Sequence, residues 1–139
     1  MKNRIPTLSS RVLAFLVSGS ILAGGGPNFA GEYADKKFLD GQAVFQMSLE
    51  QTGNQVSVFF SAGYSDGHGA APEADGSGKV TPKGTIEFTF EDNFKNAGAG
   101  TINRSGDGVI LSIKTTRVAD PRCLVFYKQN MRLKRVNKK

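Results

Sequence analysis

The sequence predicts an all-β fold, a single antiparallel meander of about eight strands closing into a small barrel, with a two-sheet β-sandwich as the alternative. Three observations lead there. Apolar and polar residues alternate with a period of two in several separate segments, the pattern of a strand with one dry and one wet face. Short turns rich in Gly, Pro and Asn divide these segments, so consecutive strands are expected to pair as neighbours. After residue 30 no segment carries a helical period.

The elements follow in order. Gly31 to Asp35 opens the domain as a first strand, and Phe45-Gln46-Met47-Ser48-Leu49-Glu50 alternates as the second. Gln51-Thr52-Gly53-Asn54 then forms a tight hairpin, because Gly and Asn tolerate positive φ. Val56-Ser57-Val58-Phe59-Phe60-Ser61 returns alongside. Residues 63–78, rich in Gly and Ala, read as the longest loop, with a strand emerging only near Gly76 to Val80. After the turn Thr81-Pro82-Lys83-Gly84 comes the clearest alternation, with Ile86, Phe88 and Phe90 on one face and Thr85, Glu87, Thr89 and Glu91 on the other. Ala97 to Asn103 is a further strand. Val109 to Lys114 follows the turn Arg104-Ser105-Gly106-Asp107-Gly108. Arg122-Cys123-Leu124-Val125-Phe126-Tyr127 is apolar on both faces, which suggests a strand covered twice or one at a subunit contact. Met131 to Lys134 ends the meander.

Residues 1–30 stand apart as an expected secretory signal peptide, leaving one domain over 31–139. Lys2, Arg4 and Arg11 form a cationic head, and the apolar run Val12 to Ala23 contains only small Ser and Gly besides. A dozen such residues fall short of the ~20 that a helix needs to cross a bilayer core. A retained membrane anchor is therefore the poorer reading, and the mature form is expected to lack a transmembrane segment. Small residues allow cleavage after Gly25 or after Ala30, the latter being favoured. Either cut removes three basic and no acidic side chains, leaving 15 basic against 12 acidic residues, a net charge of +3. So modest a charge argues against nucleic acid as a partner. The expected location is periplasmic or secreted. Cys123 is the only cysteine, so the domain has no internal disulfide, and the thiol is expected to be buried rather than paired between chains.

The mature start, Gly31-Glu32-Tyr33, is similar to the Gly-x-Trp that opens the first strand of the calycin group, which includes lipocalins and avidins. The resemblance implies a barrel in which a basic residue of the last strand, Arg132 or Arg135, packs across the Tyr33 ring. Phe90 to Ala97 also resembles an avidin strand end. The chain has no tryptophan, however, so the ring expected to wall a biotin site is missing and the resemblance implies no ligand.

Catalytic chemistry has little to work with. The one histidine, His68, lies on a loop far in sequence from Cys123, and no Gly-x-Ser-x-Gly elbow is present. Glu91 and Asp92, as strand neighbours, are expected on opposite faces and cannot share a substrate. Asp66, His68, Glu73 and Asp75 could reach one metal ion, but their spacing matches neither an EF-hand nor a zinc pattern, and a solvated loop is expected instead. No cofactor, no metal and no enzymatic activity are expected. Lys128, Arg132, Lys134, Arg135, Lys138 and Lys139 crowd the end of the chain, read as the wet face of a terminal strand that could also meet anionic lipid, envelope polymer or an acidic protein.

Two functions from different classes remain. The first is an exported binding module, inhibitor- or immunity-like, that recognises a protein or envelope component through Tyr64, Asp66 and His68 on the long loop. The second is a lipocalin-like carrier of a small apolar ligand in a cavity lined by Phe45, Phe60, Phe88 and Phe90. Large side chains at nearly every inward position favour a filled interior. Either a monomer or a dimer is compatible with this reading.

Overall fold

The computed structural model describes residues 28–136. Eight strands run β1 (Gly31–Phe38), β2 (Ala43–Thr52), β3 (Gln55–Tyr64), β4 (Glu73–Val80), β5 (Ile86–Asp92), β6 (Ala97–Ser105), β7 (Gly108–Arg117) and β8 (Met131–Arg135). Each pairs antiparallel with the next, and β1 pairs with β8 to close the barrel. The meander barrel is the observed fold, and the sandwich is not. Closure gives every strand two neighbours, although β1 and β8 pair over only part of their length. Among the described residues no helix is long and apolar enough to cross a membrane.

The alternation expected from the sequence sets the wall. Phe45, Met47, Leu49, Val56, Val58, Phe60, Ile86, Phe88, Phe90, Leu111 and Ile113 are all buried in the interior. The rings touch in series: Phe38 to Phe45 at 5.6 Å between centroids, Phe45 to Phe60 at 5.5 Å, Phe60 to Phe90 at 5.0 Å and Phe90 to Phe88 at 6.2 Å. Their edge-on and stacked arrangements are the favoured ones for aromatic pairs.

Residues 73–78, expected to be loop, are part of β4, so the loop is only 65–72 and the longest connection is 118–130. The reason lies in the register. Gly76 and Gly78 of β4 face Phe90 and Phe88 of β5, which in turn face Gly98 and Gly100 of β6. A Cβ on Gly100 would stand 2.5 Å from Phe88 Cζ, and one on Gly98 would stand 2.8 Å from Phe90 Cε1. The phenylalanine rings lie over the backbone of Gly98 and Gly100, while the β5 backbone with the Phe88 and Phe90 Cβ atoms fills the space beside Gly78 and Gly76, so none of the four has room for a side chain. A strand whose inward residues are glycines shows no hydrophobic alternation, and its sequence imitates a loop.

Arg122–Tyr127, expected to be a strand, is instead a 3-10 helix over Pro121–Phe126 followed by Tyr127. Asp120 caps it by accepting from the Arg122 amide, and Pro121 stands at the first helical position. Side chains three apart eclipse in a 3-10 helix, so Cys123 and Phe126 face the core together. A six-residue apolar run does not distinguish a buried strand from a buried helical turn, and the Asp-Pro start decides it.

The expected signal peptide falls outside the described residues except for Asn28 to Ala30. Phe29 is fully buried. Its amide donates to Gln51 Oε1 at 2.7 Å, and its carbonyl accepts from the Tyr33 hydroxyl at 2.7 Å. The folded unit thus takes in Phe29, two residues before the Gly31 boundary drawn from the sequence.

Candidate functional site

Both ends of the barrel are closed by polar devices. At the end where the chain enters, the Arg104 guanidinium lies 4.9 Å from the Phe29 ring centre and that of Arg135 lies 5.2 Å from Tyr33. Of the two arginines that the calycin resemblance implied, Arg135 takes the place over Tyr33, while Arg132 reaches Ser105 Oγ at 3.2 Å.

The opposite end is sealed by a network that the sequence reading missed. Asp92 is buried and accepts from the amides of Phe94 and Asn96 at 2.8 and 3.0 Å, from Asn96 Nδ2 at 2.9 Å and from the Tyr127 hydroxyl at 2.6 Å. Asn96 is fully buried and accepts the Ala119 and Asp120 amides at 2.7 and 2.9 Å. These bonds pin the 118–130 connection across the barrel mouth. Tyr127 then inserts its ring between Phe60 and Phe90, at 5.9 and 5.6 Å. Burial, and then the Asp92 carboxylate, push its phenol well above the ordinary range. The only sequence signal was two polar residues four apart at a strand end, which reads equally as a solvated turn.

The expected loop site is assembled at this same end. The Tyr64 ring stacks on His68 at 4.2 Å and meets Phe126 edge-on at 5.4 Å. Asp66 accepts the His68 amide at 3.1 Å and pairs with His68 Nδ1. The His68 amide, and then its ring, hold the Asp66 carboxyl below the usual range. The His68 and Asp66 side chains remain 62 and 71 % exposed. Tyr64, Asp66 and His68 thus form one outward-facing patch, with Tyr64 as its foot in the core.

The expected apolar site is also brought together, but its members occupy one another's space. Phe45, Phe60, Phe88 and Phe90 are each at most 5 % exposed, and with Tyr127 they fill the middle of the barrel. Glu73 and Asp75 point outward from β4, away from the loop pair, and among the described residues no group of three or more His, Cys, Asp or Glu could hold a metal ion. Glu91 is exposed beside Arg117 at 3.4 Å while Asp92 is buried, so the two carboxylates do face opposite ways. Cys123 is buried, and burial followed by the nearby Asp92 and Asp120 charges pushes its thiol up to about 11.

Chain comparison adds no identity. No known family model, curated protein or solved structure matches this chain.

Two of the recesses on the outer wall bear on function. The larger, about 680 Å³, crosses β4 to β7 over a floor of Ser77, Thr89, Ala99, Thr101 and Ser112. The other, about 480 Å³, follows the seam of β1 and β8 and is lined by Lys36, Lys37, Arg132, Lys134 and Arg135 with the single acid Asp35.

Proposed function

We propose that the chain is an exported, non-enzymatic binding module that recognises a protein or an envelope component through its outer surface, in the manner of an inhibitor or immunity protein. The observation that carries this reading is where the free space lies. The four phenylalanines expected to line a ligand cavity pack against each other and against Tyr127, whereas recesses of about 680 and 480 Å³ open outward. These recesses lie on the outer wall, where a partner can reach them, and their lining mixes polar with apolar groups as interface surfaces do. The Tyr64–His68 stack beside Asp66 supports the same reading, since an aromatic anchor with exposed polar neighbours is a common interface element.

Export rests on the composition of residues 1–30. Processing after Gly25 leaves Phe29 in the folded domain, and processing after Ala30 removes it. The first is the cut that this reading requires.

Native mass spectrometry of the protein from the exported fraction, followed by denaturing analysis, tests the proposal. The expected mature chain begins after Gly25 and carries no small molecule. An apolar compound released on denaturation would overturn the surface reading in favour of the lipocalin-like carrier.

A further inference from the structure

Among the described residues, the seam has the fewest register pairs of any strand pair in the barrel. β1 and β8 share two register pairs, Tyr33 with Arg135 and Ala34 with Lys134, and the Val136 amide donates to the Glu32 carbonyl beyond them. In an antiparallel ladder the main-chain groups of alternate residues face the partner strand. Glu32 and Ala34 therefore point theirs at β8, and Val136 and Lys134 answer. The next rung belongs to Lys36 and Arg132, and it is not made. The β1 register with β2 also shifts between Asp35 and Phe38, so Lys36 has no register partner on either side.

The side chains at this opening are as lopsided as the backbone. Lys36, Lys37, Arg132, Lys134 and Arg135 surround it, and among the described residues none of them forms an ion pair. Asp35, the only carboxylate among the lining residues, is taken by the Lys37 amide at 3.0 Å. Unpaired strand edges recruit another extended chain, and a cluster of uncompensated cations selects an acidic one.

We infer that the seam between β1 and β8 is a docking site for an extended, acidic peptide segment of a protein partner. Its main chain bonds to the free Lys36 and Arg132 groups, and its carboxylates meet Lys36, Lys37 and Lys134. Phosphate or lipid headgroups would answer the charge but not the backbone, which is why a peptide is the occupant. The inference deepens the binding reading above and rests on it.

The probe is a fluorescent peptide of about ten residues alternating Glu and Val, extended and acidic along one face, with a second version N-methylated at the valines. Fluorescence anisotropy on the full folded domain is expected to show binding by the first peptide and at least about tenfold weaker binding by the N-methylated one. The Lys36→Glu/Lys134→Glu variant is expected to lose a similar factor, and Lys36→Ala/Lys134→Ala serves where charge reversal disturbs folding. Equal affinity for both peptides reduces the seam to an anion patch, and a charge-reversed variant that binds like the parent places the contact elsewhere. Either result overturns the seam assignment, as does failure of the parent domain to bind. A physiological partner still held by the charge-reversed variant leaves the wider binding reading standing, whereas a carrier ligand in the mass spectrum removes it.

Discussion

The β4–β5–β6 wall and the β1–β8 seam are two ways of joining strands in the same barrel. In the wall, β4 and β5 share seven register pairs, and each inward phenylalanine of β5 is flanked by glycines on both sides. At the seam two pairs hold, and the next rung is left open among unpaired cations. The wall commits its backbone and its side-chain volume to folding. The seam keeps both kinds of bonding capacity free, which suits a surface that meets a partner. Local stability is expected to follow this division, since openings concentrate where backbone bonds and buried contacts are fewest.

The sharpest way to break the wall is Gly78→Ala. The added Cβ would run into the Glu87 carbonyl oxygen and stand 2.7 Å from Phe88 Cβ, against backbone that cannot step aside. Denaturant unfolding is expected to show a loss of about 3 kcal/mol or more. Lys134→Ala at the seam is expected to change stability by less than about 0.5 kcal/mol. Equal effects at the two sites would erase the contrast.

Asp92→Ala removes the acceptor of four hydrogen bonds at the barrel mouth, and leaves its donors buried or half-buried without a partner. A cost of about 2–3 kcal/mol is expected by the same unfolding measurement, together with release of the 118–130 connection. Tyr127→Phe should lose a smaller share of it.

Alkaline pH provides the next test. Cys123 has its thiol raised from 9.0 to about 11 in the fold, and the Tyr127 phenol is raised as well. Both acids lose their charge-free form sooner in the unfolded chain. The Cys123 contribution is therefore complete below about pH 9 and is lost as the pH rises through 11, whereas that of Tyr127 begins to fall only above 10 and persists beyond that window. Unfolding curves recorded across that window should show a fall of up to about 2 kcal/mol, reduced in Cys123→Ala. The folded thiol should also resist alkylation at pH near neutrality.

A smaller effect than at Asp92 is expected from Arg135→Ala, which removes the cation over Tyr33 and a 3.1 Å bond to the Ala30 carbonyl. That should cost about 1 kcal/mol in the unfolding measurement. It would show that the structural part of the seam ends where β1 and β8 still pair.

How much of this was legible in the sequence varies with the kind of signal. Ile86, Phe88 and Phe90 announce their strand because inward positions carry large apolar groups. Gly76 and Gly78 hide theirs, since what surrounds them is the close-packed β5 backbone rather than any side chain of their own. Pro121 to Phe126 carried a legible helix start in Asp120-Pro121, overshadowed by its apolar composition. The Tyr64, Asp66 and His68 patch was legible because its members are local. The seam was not, because Lys36 and Arg132 are distant in sequence and only closure of the barrel brings them together.

Amide hydrogen exchange followed residue by residue tests the central contrast most directly. The Lys36 and Arg132 amides are expected to exchange fast in the free protein, those of Phe88 and Phe90 slowly, and the first pair to become protected when the acidic peptide is added. Protection of Lys36 and Arg132 in the free protein equal to that of Phe88 and Phe90 would contradict the account, because the seam would then have no free capacity to offer a partner.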